Sequence, residues 1–144
     1  MPRMIFVNLP VADLDRSVVF YKAIGAEQNM QFSDETAAMM SFSDAINVML
    51  LTPDKFRQFT TKAIADPRTS VQALLALSCD SRDEVDAITR NALSAGGAEV
   101  HGAEDYGWMY SRAFEDPDGH GWGPVWMDVD AATKALAEGE TAGA

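Results

Sequence analysis

A strand that runs straight into a capped helix occurs twice in this chain, and the repeat limits what it can fold into. In the first copy Ile5, Val7, Leu9 and Val11 alternate with Phe6, Asn8 and Pro10, a period of two that sends the two sets to opposite faces of a strand. Asp13 offers an oxygen to the free N–H groups of a starting helix. Leu14, Val18 and Tyr21 follow as one apolar helical stripe, and Gly25 closes the helix. In the second copy Leu74–Cys79 is an apolar strand, Ser81 and Glu84 have capping-box spacing, Val85, Ile88 and Ala92 form the stripe, and Gly96-Gly97 ends it. Gly25-Ala26-Glu27 is echoed by Gly97-Ala98-Glu99. With Val11 set against Cys79, Phe6 falls opposite Leu74, so the chain reads as an internal duplication.

Further strands follow each helix. The pattern predicts strands at 26–32, 36–42 and 45–51 in the first module. In the second it predicts a short strand at 99–101, then strands at 108–115 and 122–127. Asp116-Pro117-Asp118-Gly119 is a turn signal, and Asp116 and Asp118 read as turn formers. Gly123 and Pro124 are poor strand residues, so a bulge or an edge position is expected there. The fold class is α+β: paired βαβββ modules forming two curved mixed sheets around a cup-shaped cavity. The expected organisation is one domain over 1–130, with modules 4–52 and 71–128, and a linker at 53–70 that opens on a short helix at 53–59. A helix capped by Asp130 and a flexible tail occupy 131–144.

The 144 residues suffice for a buried core without metal or disulfide. No apolar run approaches a membrane span, and nothing reads as a secretory signal. Cys79 is the one cysteine. It cannot form an internal disulfide, which fits a reducing cytoplasm, and in a strand it reads as core. A net charge of −11 argues against nucleic acid. Lys55, Arg57, Lys62 and Arg68 are the only loose basic grouping, either a solvated segment or a gate over an anionic ligand.

Val7-Asn8-Leu9-Pro10-Val11-Ala12-Asp13-Leu14 with Ser17 and Phe20-Tyr21, then Ala95-Gly96-Gly97-Ala98 and Phe114-Glu115-Asp116-Pro117-Asp118-Gly119-His120, resemble the vicinal oxygen chelate superfamily, which holds the glyoxalase, bleomycin-resistance and extradiol dioxygenase families. Met49-Leu50-Leu51-Thr52 and Trp126-Met127-Asp128 are similar to its lactoylglutathione-lyase-like subgroup. The resemblance implies the glyoxalase/bleomycin resistance fold and a homodimer. In metal-using members it places ligands at positions that are here Phe6, Leu74, Gly123 and Met49 or Leu50. None of these is a hard donor, so neither metal nor cofactor is expected. A metal site assembled from Asn8, His101, Glu115, Asp116 and His120 is the minor alternative.

The residues themselves offer no nucleophile–base pair and no phosphate loop. Asn8 shares a face with Phe6 and could orient a ligand. Tyr106, Trp108, Tyr110 and Trp122 are core packing or aromatic pocket walls, with Arg112 as a partner for an anion. The expected ligand-binding set is Phe6, Asn8, Met49, Leu74, Trp108, Tyr110 and Arg112, and no catalytic residue is assigned. The expected function is metal-free binding of a small organic molecule in an apolar cup, with no nucleic-acid or membrane partner. The alternatives are a glyoxalase- or dioxygenase-type enzyme (lyase, isomerase or oxygenase) and an interaction module whose cup is filled by its own side chains.

Overall fold

The computed structural model describes residues 3–139. The chain divides into two compact units, 3–70 with 117–119, and 71–116 with 120–139.

The first unit runs β1 (Ile5–Pro10), α1 (Leu14–Ala23), β2 (Glu27–Asn29), β3 (Ala37–Ser41), β4 (Ile46–Leu51) and α2 (Pro53–Arg57). Its sheet has the order β1-β4-β3-β2, with β1 parallel to β4 and the other pairs antiparallel. The expected 26–32 strand is shorter, because Met30–Phe32 turns into a 3-10 helix, capped by the Asn29 side chain accepting from Gln31 N. Asp13 caps α1 by accepting from Arg16 N. The buried face of α1 is Ser17, Phe20 and Tyr21, rotated from the Leu14–Val18–Tyr21 stripe. Burial follows where the sheet lies, and Phe20 and Tyr21 meet edge to face at 5.1 Å. They share the core with Met40, Val48 and Leu50, all fully buried.

The second unit repeats the order: β5 (Leu74–Cys79), α3 (Arg82–Ser94), β6 (Ala98–Asp105), β7 (Met109–Glu115), β8 (Gly121–Met127) and α4 (Val129–Ala137). Its sheet runs β5-β8-β7-β6. Ser81 accepts from Glu84 N, while the Glu84 carboxylate reaches back to Asp80 N. Asp128, not Asp130, caps α4. β8 lies between β5 and β7 and pairs with β5 without a break from Leu74↔Gly121 to Cys79↔Trp126. The expected edge position or bulge at Gly123-Pro124 is therefore absent. The sheet absorbs the missing proline N–H on its other side, where the β7–β8 ladder passes over Gly123 and Pro124 and resumes in the same register. β6 is much longer than the expected 99–101 strand and carries register shifts between Glu99 and His101 and between His101 and Glu104. These irregularities mask its periodicity. Among the described residues no helix is long and apolar enough to cross a membrane.

Candidate functional site

Each sheet packs one face under its helix and leaves the other more open. On the first sheet the register places Phe6 beside Asn47, and Asn8 beside Met49, which pairs in turn with Met39. Phe6, Asn8 and Met49 thus share the open face. Phe6 remains 46% exposed, and the Asn8 amide donates to Phe6 O at 3.4 Å. Towards the β2–β3 side lies a cavity of about 580 Å³ bordered by Glu27, Asn29, Met39, Ser41, Asp44 and Asn47. Asn47 is buried at its floor, where its amide accepts from Ser41 Oγ at 2.6 Å and donates to Ile5 O at 3.3 Å.

The second sheet holds an apolar groove of about 370 Å³ on its open face. Leu74 and Ala76 of β5, Gly121, Gly123 and Val125 of β8, Met109, Ser111 and Ala113 of β7, and Val100, His101 and Glu104 of β6 border it. The volume is in the range of small-molecule sites. Two glycines side by side on a central strand create much of it. Gly123 pairs with Ala76 and Gly121 with Leu74, and a Cβ on Gly121 would come within 2.9 Å of the Leu74 side chain. Leu74 is 78% exposed. One end is closed by α4, where Trp108, Met109, Ala132 and Ala135 pack with Val125.

Of the ligand-contact residues expected from sequence, Leu74 lies in this groove, and Phe6, Asn8 and Met49 lie on the open face of the first sheet. Trp108, Tyr110 and Arg112 are engaged elsewhere. Trp108 is buried beneath α4. Tyr110 Oη donates to Asp86 of α3 at 2.7 Å. Arg112 borders the groove along the strand, but its guanidinium is held by Asp86 at 3.2 Å and Glu99 at 2.6 Å. Both side chains therefore point to the helix side, because period-two alternation sends 110 and 112 away from 109, 111 and 113. The hydrogen bond from Tyr110, with help from Arg112, lowers the Asp86 carboxyl pKa, and the same bond raises the Tyr110 phenol. Arg112 is thus a structural cation with its charge answered. Its buried Nε has no hydrogen-bond partner.

The groove residues missed from sequence are Ala76, Val100, Glu104, Ser111, Ala113 and Val125. His101, which the sequence offers only as a donor for an alternative metal site, also borders the groove. Alternation alone would send His101 and Glu104 to opposite faces. The register shift between them restores both to the groove side, as a bulge re-aims a side chain. Cys79 is buried, and burial first of all pushes its thiol up to about 11, which leaves it unreactive. The basic segment is mostly tied down locally. Arg57 pairs with Asp54, and Arg68 donates to Pro117 O at 2.7 Å.

The β6–β7 hairpin that carries Glu104 is fastened by Arg82 of α3. Its guanidinium holds Asp105 through both nitrogens, at 2.7 and 2.9 Å, donates to Gly107 O, and lies 5.1 Å from the Tyr110 ring and 5.0 Å from the Trp126 ring. Hydrogen bonding from Arg82 pulls Asp105 down to about 2. A carboxylate with a depressed folded-state pKa contributes fully above the ordinary value of about 4 and loses its contribution as pH falls through the folded one. Acid should therefore release this clasp between about pH 4 and pH 2. The Trp126 environment should follow it in near-UV circular dichroism, and Arg82→Gln should abolish that step. An unchanged acid step in the variant would show that the clasp is not its source.

The sequence profile of the glyoxalase/bleomycin resistance protein/dioxygenase superfamily matches residues 3–123. The chain belongs to this superfamily. Solved structures of similar fold include a hypothetical protein from S. aureus, 25% identical, with a TM-score of 0.74 over 88% of this chain and 94% of that one. A genomically encoded fosfomycin resistance protein from Listeria monocytogenes is 17% identical, with a TM-score of 0.65 over 90% and 97% of the two chains. A lactoylglutathione lyase from Agrobacterium tumefaciens is 18% identical, with a TM-score of 0.61 over 85% and 92%. The last two likenesses establish the fold alone. No functionally curated protein matches the chain in sequence. The glyoxalase-type superfamily includes metal-using members, so the donor set of this one matters. At the positions where the resemblance puts ligands stand Phe6, Met49, Leu74 and Gly123. They provide a phenyl ring, a thioether, an isobutyl group and no side chain. Among the described residues no three His, Cys, Asp or Glu side chains are gathered to hold a metal ion.

Proposed function

We propose that this chain binds a small, largely apolar organic molecule in the groove of its second sheet, without a resident metal ion. The observation that carries the reading is the groove itself: about 370 Å³ of space bordered mainly by Leu74, Ala76, Met109, Ala113 and Val125, with His101, Glu104 and Ser111 as polar side chains beside Arg112, whose guanidinium is held by Asp86 and Glu99. Apolar walls supply affinity through burial, and a few polar groups supply orientation. Leu74 keeps its role as a wall. Phe6, Asn8 and Met49 remain candidate contacts for a ligand on the first sheet's open face. The residues at the expected metal positions do not fit a divalent ion, which needs about three N, O or S donors of suitable hardness. No step through a metal is derived. A homodimer in a reducing cytoplasm accompanies this reading. It is supported by exposed apolar side chains such as Ile5, Phe6 and Leu74 and by one buried, unpaired cysteine.

The test combines metal analysis with ligand-dependent stability. Protein expressed with added Zn, Ni, Mn and Fe and purified without chelators should carry less than about a tenth of an equivalent of any metal. A neutral aromatic probe, 2-naphthol, at about a hundred times its Kd should raise stability by about 2.7 kcal/mol, with a saturable midpoint shift and no turnover. Near-stoichiometric content of one metal would end the metal-free reading. A 2-naphthol shift that never saturates would end the binding reading.

A further inference from the structure

The polar lining of the groove is one-sided. His101 Nδ1 lies 2.8 Å from Gly102 O. A carbonyl can only accept, so Nδ1 carries the proton, and in the neutral ring Nε2 is left as an acceptor. Glu104 supplies a carboxylate, which accepts only. Its cross-strand partner Ser111 supplies a hydroxyl that can accept as well as donate. The one cationic side chain that borders the groove, Arg112, has its guanidinium taken by Asp86 and Glu99 on the helix side. An anion entering the groove would lose its water against a carboxylate and find no cation to replace it, whereas a group carrying N–H or O–H would find two acceptors.

From this we infer that the ligand is an aromatic or aliphatic molecule bearing a hydrogen-bond donor, an amine or ammonium above all and a phenol next, and is not a carboxylate or phosphate. The inference rests on the groove being the binding site. It reverses the anion selectivity that Arg112 implies when only the sequence is read. The bulge of β6 is the device that sets it. Without the register shift between His101 and Glu104, one of the two acceptors would leave the groove.

Three probes of one skeleton separate the possibilities: 2-naphthylmethylamine, 2-naphthol and 2-naphthoate, each titrated by calorimetry in one buffer at about pH 8. The ammonium is expected to bind at least about tenfold more tightly than the carboxylate, with the phenol between them, since a charge-assisted hydrogen bond outweighs a neutral one. Glu104→Gln keeps an acceptor and removes the charge. It should shrink the ammonium-to-carboxylate ratio to within about threefold and weaken 2-naphthol by a smaller factor than it weakens the ammonium. Equal or tighter binding of 2-naphthoate, or a ratio that Glu104→Gln does not change, overturns the inference while leaving the groove as a binding site. Failure of all three probes to bind overturns the groove reading and this inference with it.

Discussion

Asp118→Ala is expected to cost the fold about 2–4 kcal/mol. For a chain of this size that is a midpoint drop of roughly 5–15 °C. The Asp118 side chain is only 8% exposed. Its Oδ1 accepts from Ala12 N at 2.8 Å, its Oδ2 from the buried Ser17 hydroxyl at 3.3 Å, and Arg16 Nη2 approaches at 3.4 Å. Truncation strands two donors at the start of α1, and an unmet buried donor costs about 1–3 kcal/mol. The Arg16 pair adds little, because its guanidinium is 43% exposed and solvent screens it. Asp118→Asn, which keeps one oxygen for Ala12 N, should therefore cost well under half as much, and Arg16→Ala less than about 1 kcal/mol. The neighbouring Gly119 is fixed in place for a separate reason. It sits at φ +108°, and a Cβ there would meet Pro67 O at 2.9 Å. Chemical denaturation of the three variants ranks these contributions. An Asp118→Ala loss no larger than that of Arg16→Ala would show that the buried acceptor is not what anchors the turn.

That anchor marks the limit of what the sequence discloses. Asp116-Pro117-Asp118-Gly119 announces a turn by its composition alone, and Asp116 does serve it by accepting from His120 N. Nothing in the local sequence says that Asp118 reaches the start of a helix a hundred residues earlier. The duplication was legible, because strand alternation, Asp13, Ser81 and the glycine ends are local signals that recur at matching positions. The ends of β6 were not legible, since two register shifts erase the alternation by which a strand is recognised. The candidate site fared likewise. Leu74 was found by its position in the repeat. The clustering of aromatic residues around a cation suggests Tyr110 as a pocket wall and Arg112 as an anion partner. Which face they occupy depends on parity along β7, and their partner Asp86 lies on a helix that sequence alone could not set beside them. Glu104 and Ser111 carry no motif and become a pair only through the register of β6 on β7.

Filling the groove should separate binding from stability. Ala76 lies on β5, its side chain exposed, directly beside Gly123 on β8. With no side chain on Gly123 to resist it, an indole introduced by Ala76→Trp would lie across the glycine and occupy the groove floor. Aromatic residues suit strands, and the change is made at an exposed position, so stability should move by no more than about 0.5 kcal/mol. Affinity for 2-naphthol should fall at least about a hundredfold, the equivalent of about 2.7 kcal/mol. Leu77→Ala provides the opposite signature. Leu77 is on the same strand, half-buried, and does not border the groove, since alternation along β5 sends its side chain away from those of Leu74 and Ala76. Loss of its half-buried isobutyl group should cost about 1–2 kcal/mol of stability and leave 2-naphthol affinity within about twofold. The pair of measurements matters more than either alone, because a ligand that binds only the folded state couples apparent affinity to stability whenever the protein is partly unfolded. Performed well below the midpoint of both variants, calorimetry removes that coupling. Retained affinity in Ala76→Trp would place the binding site outside the groove, and equal losses in both variants would mean that the second sheet contributes to binding only by being folded.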